Sequence, residues 1–397
     1  MYAEKFNLPS DPTRYIDKYF LRTKTVLEGE KLNPWVRAQV FIRKGPGRIY
    51  GIDEALAILE KYSPLVEHGG KVFALPEGAE YQPKDTYMII ESPIQDIIDL
   101  ETMYLGVVAA ETTKANDQQG VDLEEVTRRS TAVVKAANNR PCTYFGARHW
   151  RWDEDEAISR AVLKGGMTGA STDIGAACIG KKGSGTTPHV LENIMAWKYG
   201  YERAVPETML AFDRHIETDV PRIILCDYRN KEIDDTITTA RDLEKQGRTK
   251  LYGTRIDTCG ENIGQGAIND EDAILYDTDF LKLSPRSKLY YAGHGVTISG
   301  TLAMRKRLDE ENLAYVSIML SSGFANPAKV KAFTEAEHYF KKRLYDGLGV
   351  GQLFHSRATK MDIVDVGEDP EHFVPISKTG RFYRPNQNLV LRLGGKR

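Results

Sequence analysis

The chain contains few cysteines and none of the patterns that bind zinc or form disulfides. Four cysteines, Cys142, Cys178, Cys226 and Cys259, lie far apart among 397 residues, and no CxxC pair is present. Dense cysteine frameworks are typical of small secreted domains, and CxxC pairs are typical of structural zinc sites. We therefore interpret these cysteines as reduced thiols and expect a cytoplasmic protein.

Long apolar runs and an excess of one charge are also absent. The most apolar stretches, Tyr104–Ala110 and Ile223–Cys226, are far shorter than the roughly 20 residues of a membrane-spanning helix. The first residues are polar and lack the apolar centre of a secretory signal. The formal net charge is −2, so no overall basic field favours nucleic acid. Membranes and nucleic acids are therefore not expected partners.

Several well-known catalytic motifs are missing as well. The sequence has no GxSxG, no HExxH, no P-loop and no GxGxxG after a first strand. The polar residues that stand out instead are Arg, Lys, Asp and hydroxyl side chains near glycine-rich turns. This set suits a reaction that needs charge stabilisation and positioning more than a strong base.

Apolar residues make up 41% of the chain, which is enough for a sizeable core, and its length predicts two or three domains. The first part, residues 1–138, mixes short alternating runs with amphipathic stretches. It predicts an α+β cap domain with an antiparallel sheet, with strands at Val36–Ile42, Lys71–Leu75 and Tyr87–Glu91, and helices at Asp53–Lys61, Ile94–Ala110 and Asp122–Ala137. Asp53 is the expected N-cap of its helix.

From about Pro141 to residue 358, short apolar runs alternate with amphipathic helices, which predicts parallel βα units. The runs are Arg222–Cys226, Leu251–Ile256, Lys288–Ala292, Tyr315–Leu320 and a last unit ending at Gly347–Gly351. So long a series favours a closed or nearly closed barrel over an open sheet. Residues 359–397 form a tail that we expect to pack back on the N-terminal domain.

Active sites of βα barrels lie at the carboxyl ends of the strands. The candidates at these positions are Arg148, His149, Asp227, Arg255, Asp257, Ser321, Ser322, Gly323, Gly349 and Gly351. The last five follow the two final strands, where small residues let the backbone approach a phosphate. Tight turns between packed elements are the alternative reading of the same glycines.

A second glycine-rich stretch, Gly165–His189, also suits a polyphosphate. It carries Lys181 and Lys182, the hydroxyls of Ser184, Thr186 and Thr187, and then His189. Ammonium groups, hydroxyls and backbone amides are all phosphate ligands. A lone histidine is more often structural than catalytic, but these neighbours favour a functional role.

In these motifs the chain resembles the nicotinate phosphoribosyltransferases, relatives of the quinolinate and nicotinamide phosphoribosyltransferases. The motifs occur in the family's order over most of the chain: Asp17-Lys18-Tyr19, Pro76-Glu77-Gly78, Glu101–Leu105, Phe145–Arg148, Gly165–Ser171, Gly185–His189, Arg255–Thr258 and the terminal SxG and GxG turns. The sequence departs from the family at His149, where a second Arg is frequent, and at Ser321–Phe324.

The resemblance implies an α/β fold, an incomplete (β/α) barrel with an N-terminal α+β cap domain, and a homodimer with shared active sites. It implies transfer of phosphoribosyl from phosphoribosyl pyrophosphate to nicotinate, with ATP as co-substrate through a phosphohistidine at His189 and Mg²⁺ carried by the substrate phosphates. Phe145 would stack on the pyridine, with Tyr19 reaching it from the neighbouring subunit.

The remaining residues take roles in the same scheme. We expect Arg148 to hold the nicotinate carboxylate, with Arg255 as a second candidate, and Thr187 to contact substrate. Asp227 and Asp257 would orient ribose hydroxyls or hydrated Mg²⁺. Phosphate binding is assigned to Lys181, Lys182, Ser322, Gly323, Gly349 and Gly351. The alternatives are a quinolinate or nicotinamide phosphoribosyltransferase and a non-catalytic nucleotide-binding sensor on the same barrel.

Overall fold

The computed structural model describes residues 1–395 and contains two six-stranded sheets. In chain order the strands are β1 (Trp35–Ile42), β2 (Gly47–Arg48), β3 (Lys71–Ala74), β4 (Glu80–Tyr81), β5 (Thr86–Pro93), β6 (Cys142–Tyr144), β7 (Gly169–Ala170), β8 (Ile223–Leu225), β9 (Gly253–Ile256), β10 (Ser317–Leu320), β11 (Gly347–Val350), β12 (Thr359–Gly367), β13 (Phe373–Pro375) and β14 (Val390–Leu393).

The helices surround both sheets. They are α1 (Lys18–Gly29), α2 (Ile52–Tyr62), α3 (Glu101–Asp117), α4 (Leu123–Ala136), α5 (Asp155–Lys164), α6 (Asp173–Ala177), α7 (His189–Tyr199), α8 (Ala204–His215), α9 (Glu232–Gln246), α10 (Asp270–Leu275), α11 (Thr278–Lys282), α12 (Pro285–Lys288), α13 (Ile298–Glu310) and α14 (Pro327–Phe340).

The first sheet is antiparallel and draws its strands from both ends of the chain. Its order is β13-β12-β1-β5-β3-β14, so the three strands after residue 358 lie in the sheet of the N-terminal domain. Strand β12 pairs along the whole of β1, from Trp35 opposite Gly367 to Ile42 opposite Thr359. The tail is therefore part of this sheet and carries its side chains to the barrel.

The second sheet is parallel throughout, with the order β7-β6-β11-β10-β9-β8. Its edge strands β7 and β8 do not pair with one another within residues 1–395, so the sheet curls into an incomplete barrel. Parallel strands joined by helices place all their carboxyl ends at one edge. The fold class predicted from the sequence is confirmed, and full closure is not found.

Three local predictions differ from the structure. Gly51, in the left-handed region, is the N-cap of α2, and Asp53 lies inside the first turn. Residues 94–96 form a short 3-10 turn, and α3 begins only at Glu101. The predicted strand at Lys288–Ala292 is wrong, because Ser284 caps a helical turn that runs to Lys288.

Helix α3 joins the two sheets. It packs on α2, on β12 and on the turn Ala147–His149 that follows β6. All its residues from Glu101 to Ala110 are buried. A Cβ on Gly106 would lie 2.2 Å from the carbonyl oxygen of Trp150, so only glycine permits this approach. The helix thus fixes the Glu101 side chain beside the barrel mouth.

All four cysteines are free, as interpreted from the sequence. No helix in the described part of the chain has the length and apolar character needed to cross a bilayer.

Candidate active site

The carboxyl edge of the parallel sheet gathers most of the residues predicted from the sequence. Phe145 and Arg148 follow β6, Asp227 follows β8, Asp257 follows β9, Ser321 and Ser322 follow β10, and Gly351 follows β11. His189 lies at the start of α7.

Arg148 is held between two buried carboxylates. Its Nη1 donates to Glu101 Oε1 at 2.7 Å, and its Nε lies 4.0 Å from Asp17 Oδ2. Glu101 is 4% exposed and Asp17 is 1% exposed, whereas the Arg148 side chain keeps 26% of its surface open. Burial raises the pKa of Glu101 to about 7, against the opposing effect of Arg148. A ligand can therefore reach the guanidinium only from its open side.

Tyr19 lies against the same guanidinium. The Arg148 guanidinium carbon is 5.5 Å from the centroid of the Tyr19 ring, and that ring stacks on Phe20 at 4.3 Å. Both contacts are made within one chain, and Tyr19 is 7% exposed. Within its own chain Tyr19 therefore lies at the Arg148 site, and its contribution to a neighbouring subunit stays a prediction.

Phe145 lies between a cation and a glycine. The guanidinium of Arg255 is 5.6 Å from the centroid of its ring, which is a cation–π distance. A Cβ on Gly349 would lie 2.5 Å from Phe145 Cε2, and a Cβ on Gly351 would lie 2.9 Å from His149 Cε1. The rings of Phe145 and His149 therefore occupy the space that a Cβ would need at these two positions, whether or not the glycines also contact a phosphate.

His189 belongs to a four-residue cluster. Its Nδ1 is 2.7 Å from Glu192 Oε2, and its Nε2 is 3.0 Å from Lys378 Nζ and 3.4 Å from Asp227 Oδ1. Lys378 also donates to Asp227 Oδ2. Burial and then Lys378 lower the pKa of His189 well below its usual range, so the imidazole is neutral. An ammonium group can only donate, so Nε2 accepts from Lys378 and Nδ1–H donates to Glu192.

The turn after β10 has the conformation expected of an anion site. Ser322 and Gly323 have φ of 68° and 87°, both in the left-handed region. Lys329, one turn into α14, donates from Nζ to the carbonyl of Ser322 at 3.1 Å. Burial lowers the pKa of Lys329 to about 8.

Lys360, on β12, is a second cation at this edge. Burial and then Arg148 lower its pKa to about 8, while Asp257 and Glu101 oppose the shift. Among residues 1–395 its ammonium has no hydrogen bond or ion pair, and Asp257 acts on its charge from the opposite sheet. A half-buried cation without a close partner is an anion-binding candidate.

Three predicted ligands make other contacts or lie on an exposed loop. Thr187 is fully buried, and its Oγ1 accepts from the backbone N–H of Leu225 at 3.2 Å, so it fixes α7 to β8. Lys181 donates to the carbonyl of Thr168, which precedes β7, and so lies toward the opposite end of that strand. Lys182 is exposed on the same loop. An exposed loop lysine is a weak candidate, because its charge is already solvated.

Four residues of the site were missed from the sequence. Glu192 is three residues after His189 on one helix face, a spacing that sequence reasoning could have used. Lys329 lies in the first turn of α14, after the SxG motif. A lysine at a helix start that follows such a motif could also have been found from the sequence. Lys360 and Lys378 come from the tail, and no local pattern indicates that the tail strand delivers them to the barrel.

Metal-binding side chains are not clustered at this edge. In the described range no group of three or more His, Cys, Asp and Glu residues is placed to hold a metal ion. Asp227 is already occupied by Lys378 and His189, whereas Asp257 is half-buried and faces the cations Lys329, Lys360 and Lys378.

The antiparallel cap sheet beside an incomplete parallel barrel, whose carboxyl edge carries cations, is a fold shared with a class of known proteins, the phosphoribosyltransferases. Residues 17–111 match the family described as quinolinate phosphoribosyl transferase, N-terminal domain. No curated protein matches the chain by sequence.

The barrel as well as the cap agrees with this class. Nicotinate phosphoribosyltransferase from Porphyromonas gingivalis superposes with a TM-score of 0.62 at 13% identity, covering 93% of this chain and 95% of that one. The enzyme of the same description from Vibrio cholerae gives a TM-score of 0.59 at 12% identity, covering 92% and 87%. At these identities the likeness concerns the fold. The chain thus shares the fold of these phosphoribosyltransferases over nearly its whole length.

Proposed function

We propose that the protein is a nicotinate phosphoribosyltransferase, which converts nicotinate and phosphoribosyl pyrophosphate into nicotinate mononucleotide and pyrophosphate for NAD biosynthesis. The observation that carries the proposal is the pair of chemical groups at the barrel edge. Phe145, Arg148 and Arg255 supply an aromatic ring and guanidinium groups, and Lys329, Lys360 and Lys378 supply ammonium groups. Lys329 lies at the Ser322-Gly323 turn, Lys378 at Asp227, and Asp257 acts on the charge of Lys360.

The two groups match the two substrates. A flat heteroaromatic acid needs a ring to pack on and a planar donor for its carboxylate, which Phe145 and the open side of Arg148 provide. The phosphates need cations and a turn with exposed amides. Between them the pyridine nitrogen attacks C1 of the ribose with its own lone pair, so no enzymic base is required.

Charge stabilisation is then the main contribution of the protein. As pyrophosphate leaves, positive charge grows on the ribose and negative charge on the leaving group. Asp257 would stabilise the ribose side, and Lys360 and Lys378 would stabilise the leaving group. Mg²⁺ would enter with phosphoribosyl pyrophosphate and shield its phosphates, with Asp257 the free carboxylate best placed to contact its water shell.

We also propose that ATP phosphorylates His189. The neutral imidazole has its Nδ1–H on Glu192, so Nε2 is the nitrogen with the available lone pair. In the structure that lone pair accepts from Lys378. Transfer from ATP would break the bond between its γ-phosphorus and the bridging oxygen, form a bond to Nε2 and release ADP, while Lys378 moves from Nε2 to the new phosphoryl oxygens.

Quinolinate is the second candidate substrate, because the family match in residues 17–111 carries that name. Quinolinate has two carboxylates, and Arg148 already faces two buried carboxylates. The single carboxylate of nicotinate fits this charge balance better.

A product assay with nicotinate, nicotinamide and quinolinate, each with phosphoribosyl pyrophosphate and with or without ATP, tests the proposal. We expect nicotinate to be converted with a kcat/KM at least tenfold above that of the other bases, which requires about 1.4 kcal/mol of preference. Conversion of quinolinate alone, or equal use of nicotinamide, would contradict it.

The ATP step has its own test. Acid-labile label from γ-³²P-ATP is expected on the wild-type protein and not on His189→Ala, which should keep a slow transfer that ATP does not accelerate. His294→Ala serves as a matched control, since His294 lies in the loop before α13. If the wild-type protein takes up no label and ATP leaves turnover unchanged, His189 is only a ligand of the leaving group.

A further inference from the structure

Glu101 is a buried carboxyl group to which the proposed reaction assigns no role. It opens α3 and contacts Arg148, the residue proposed to hold the carboxylate of the base. The helix places it behind the guanidinium, and Asp17 faces Nε from another side. Within residues 1–395, Nη2 of Arg148 has no hydrogen-bond partner. The donor left for a ligand therefore belongs to a cation that already faces two carboxylates.

The surroundings of Glu101 provide little further positive charge. Arg148 and Lys360 are the cations that act on it, and Asp17 is the other carboxylate. Tyr87 on β5 and Tyr104 on α3 are buried next to it, and their hydroxyls have no hydrogen-bond partner in the described chain. Tyr19 covers Arg148 from α1. The carboxylates and the two tyrosines are buried, so little solvent is available to screen an additional negative charge.

A carboxylate that binds Arg148 would be the third acid around one guanidinium. Carboxylates within a few ångströms of one another cannot all ionise in a low-dielectric site, and one of them takes a proton. Neither side-chain oxygen of Asp17 has a hydrogen-bond partner in the described chain, and Oδ2 lies 4.0 Å from Arg148 Nε. Both carboxylates are buried, and Glu101 makes the closer contact with Arg148, at 2.7 Å against 4.0 Å. Protonation of Glu101 removes one charge while its carbonyl oxygen still accepts from Nη1.

We propose that Glu101 takes up a proton from solvent when nicotinate binds to Arg148, so that the base site accepts an acidic ligand only with Glu101 in its neutral form. This inference rests on the proposed function. Glu101 acts through Arg148 and is a positioning residue that determines specificity. Because burial already raises the pKa of Glu101 to about 7, the required proton is available near neutral pH.

The consequence is a pH-dependent affinity for the acidic base. Below about pH 7 Glu101 is protonated before binding, and the affinity for nicotinate is constant. Above that pH each binding event consumes one proton, and the KM for nicotinate rises by about tenfold per pH unit. The KM for phosphoribosyl pyrophosphate should not follow this profile, because its phosphates bind to the ammonium groups.

Titration calorimetry of nicotinate into the whole protein, in buffers with different ionisation enthalpies, measures the proton uptake directly. We expect about one proton taken up at pH 8 and none at pH 6. Glu101→Gln should bind nicotinate with no uptake and with a KM that does not vary between pH 6 and 8. The wild-type measurement decides the matter even if the variant folds poorly.

Lys360 is the competing proton acceptor, because its pKa is about 8 and it lies near the same groups. The Lys360→Met variant distinguishes Lys360 from Glu101 as the proton acceptor. Proton uptake that persists in Lys360→Met and is lost in Glu101→Gln supports the proposal. Uptake that persists in Glu101→Gln overturns it, as does nicotinate binding without uptake in the wild-type protein. Failure of nicotinate to bind at any pH overturns both this inference and the proposed function.

Discussion

Individual side chains at the barrel edge have little freedom, because most are already held by a neighbour. Arg148 is fixed by Glu101, His189 by Glu192 and Asp227 by Lys378. Fixed groups lose little conformational entropy when a ligand arrives, and they present charges in one orientation. Substitutions that keep the shape but change one donor are therefore the most informative.

Arg148→Lys keeps the positive charge but loses the planar guanidinium. We expect the KM for nicotinate to rise by about 10- to 100-fold, equivalent to about 1.4–2.8 kcal/mol, with a change below threefold in the KM for phosphoribosyl pyrophosphate. Steady-state kinetics with each substrate varied in turn measures both. Arg128→Lys, on the exposed surface of α4, is the control, and a parallel loss for both substrates would indicate a structural role for Arg148.

Lys378→Met should leave Asp227 as an unpaired buried carboxylate. Lys378 is 7% exposed and Asp227 is 1% exposed, so the expected loss of unfolding free energy is about 3–5 kcal/mol. Adding Asp227→Asn should restore a large part of that loss. Urea unfolding of both single variants and the double variant completes the cycle, and additive effects would mean that the two residues do not interact.

At the scale of single elements, the strand ends with their turns were the most predictable part of the chain. Asp227, Asp257 and Ser322 were placed correctly because a short apolar run followed by a polar residue marks the end of a parallel strand. The contact between Thr187 and the Leu225 N–H was not predictable, because a hydroxyl in a glycine-rich stretch looks the same whether it binds a ligand or a backbone N–H. The prediction of a strand at Lys288–Ala292 was wrong because Ser284 caps a helical turn there, and the apolar run does not form a strand.

The turn after β10 allows a matched test of glycine. Gly323 and Gly247 both have a left-handed φ, 87° and 74°, and neither has an atom closer than 3.6 Å to an added Cβ. Gly323→Ala and Gly247→Ala should each cost about 1 kcal/mol of unfolding free energy. Only Gly323→Ala should raise the KM for phosphoribosyl pyrophosphate, by about tenfold for every 1.4 kcal/mol of lost phosphate binding. Equal kinetics for the two variants would remove this turn from the phosphate site.

On the scale of the whole molecule, residues far apart in sequence meet at one place. The tail brings Lys360 and Lys378 to the barrel, and α3 brings Glu101. The order of elements and the class of fold follow from local periodicity, but the pairing of β12 with β1 depends on two distant segments finding each other. A single sequence contains no local signal of such a contact, which is why Lys360 and Lys378 were missed.

Buried acids should also give the whole protein a pH-dependent stability. Burial raises the pKa of Asp155 to about 7, above its unfolded value near 4, so the folded state binds the proton more tightly. The contribution of Asp155 to the free energy of unfolding is fully present below about pH 4 and is lost as the pH rises through 7. Asp155→Asn should therefore gain stability relative to wild type by about 1.4 kcal/mol per pH unit over this range.

Urea unfolding at pH 5 and pH 7 measures this change. Glu310→Gln is the control, because the Glu310 side chain is 62% exposed. A constant difference between Asp155→Asn and wild type at the two pH values would show that Asp155 is ionised throughout.

The place of β12 in the first sheet also governs how the chain is made. Because Ile42 pairs with Thr359, a ribosome that has synthesised β1, β3 and β5 still has the entire barrel to translate before the partner of β1 emerges. Until then β1 is an open sheet edge with unpaired backbone groups, the kind of edge on which nascent chains associate. The cap domain is therefore completed last, although most of it is synthesised first, and this interval is when the chain most needs a chaperone.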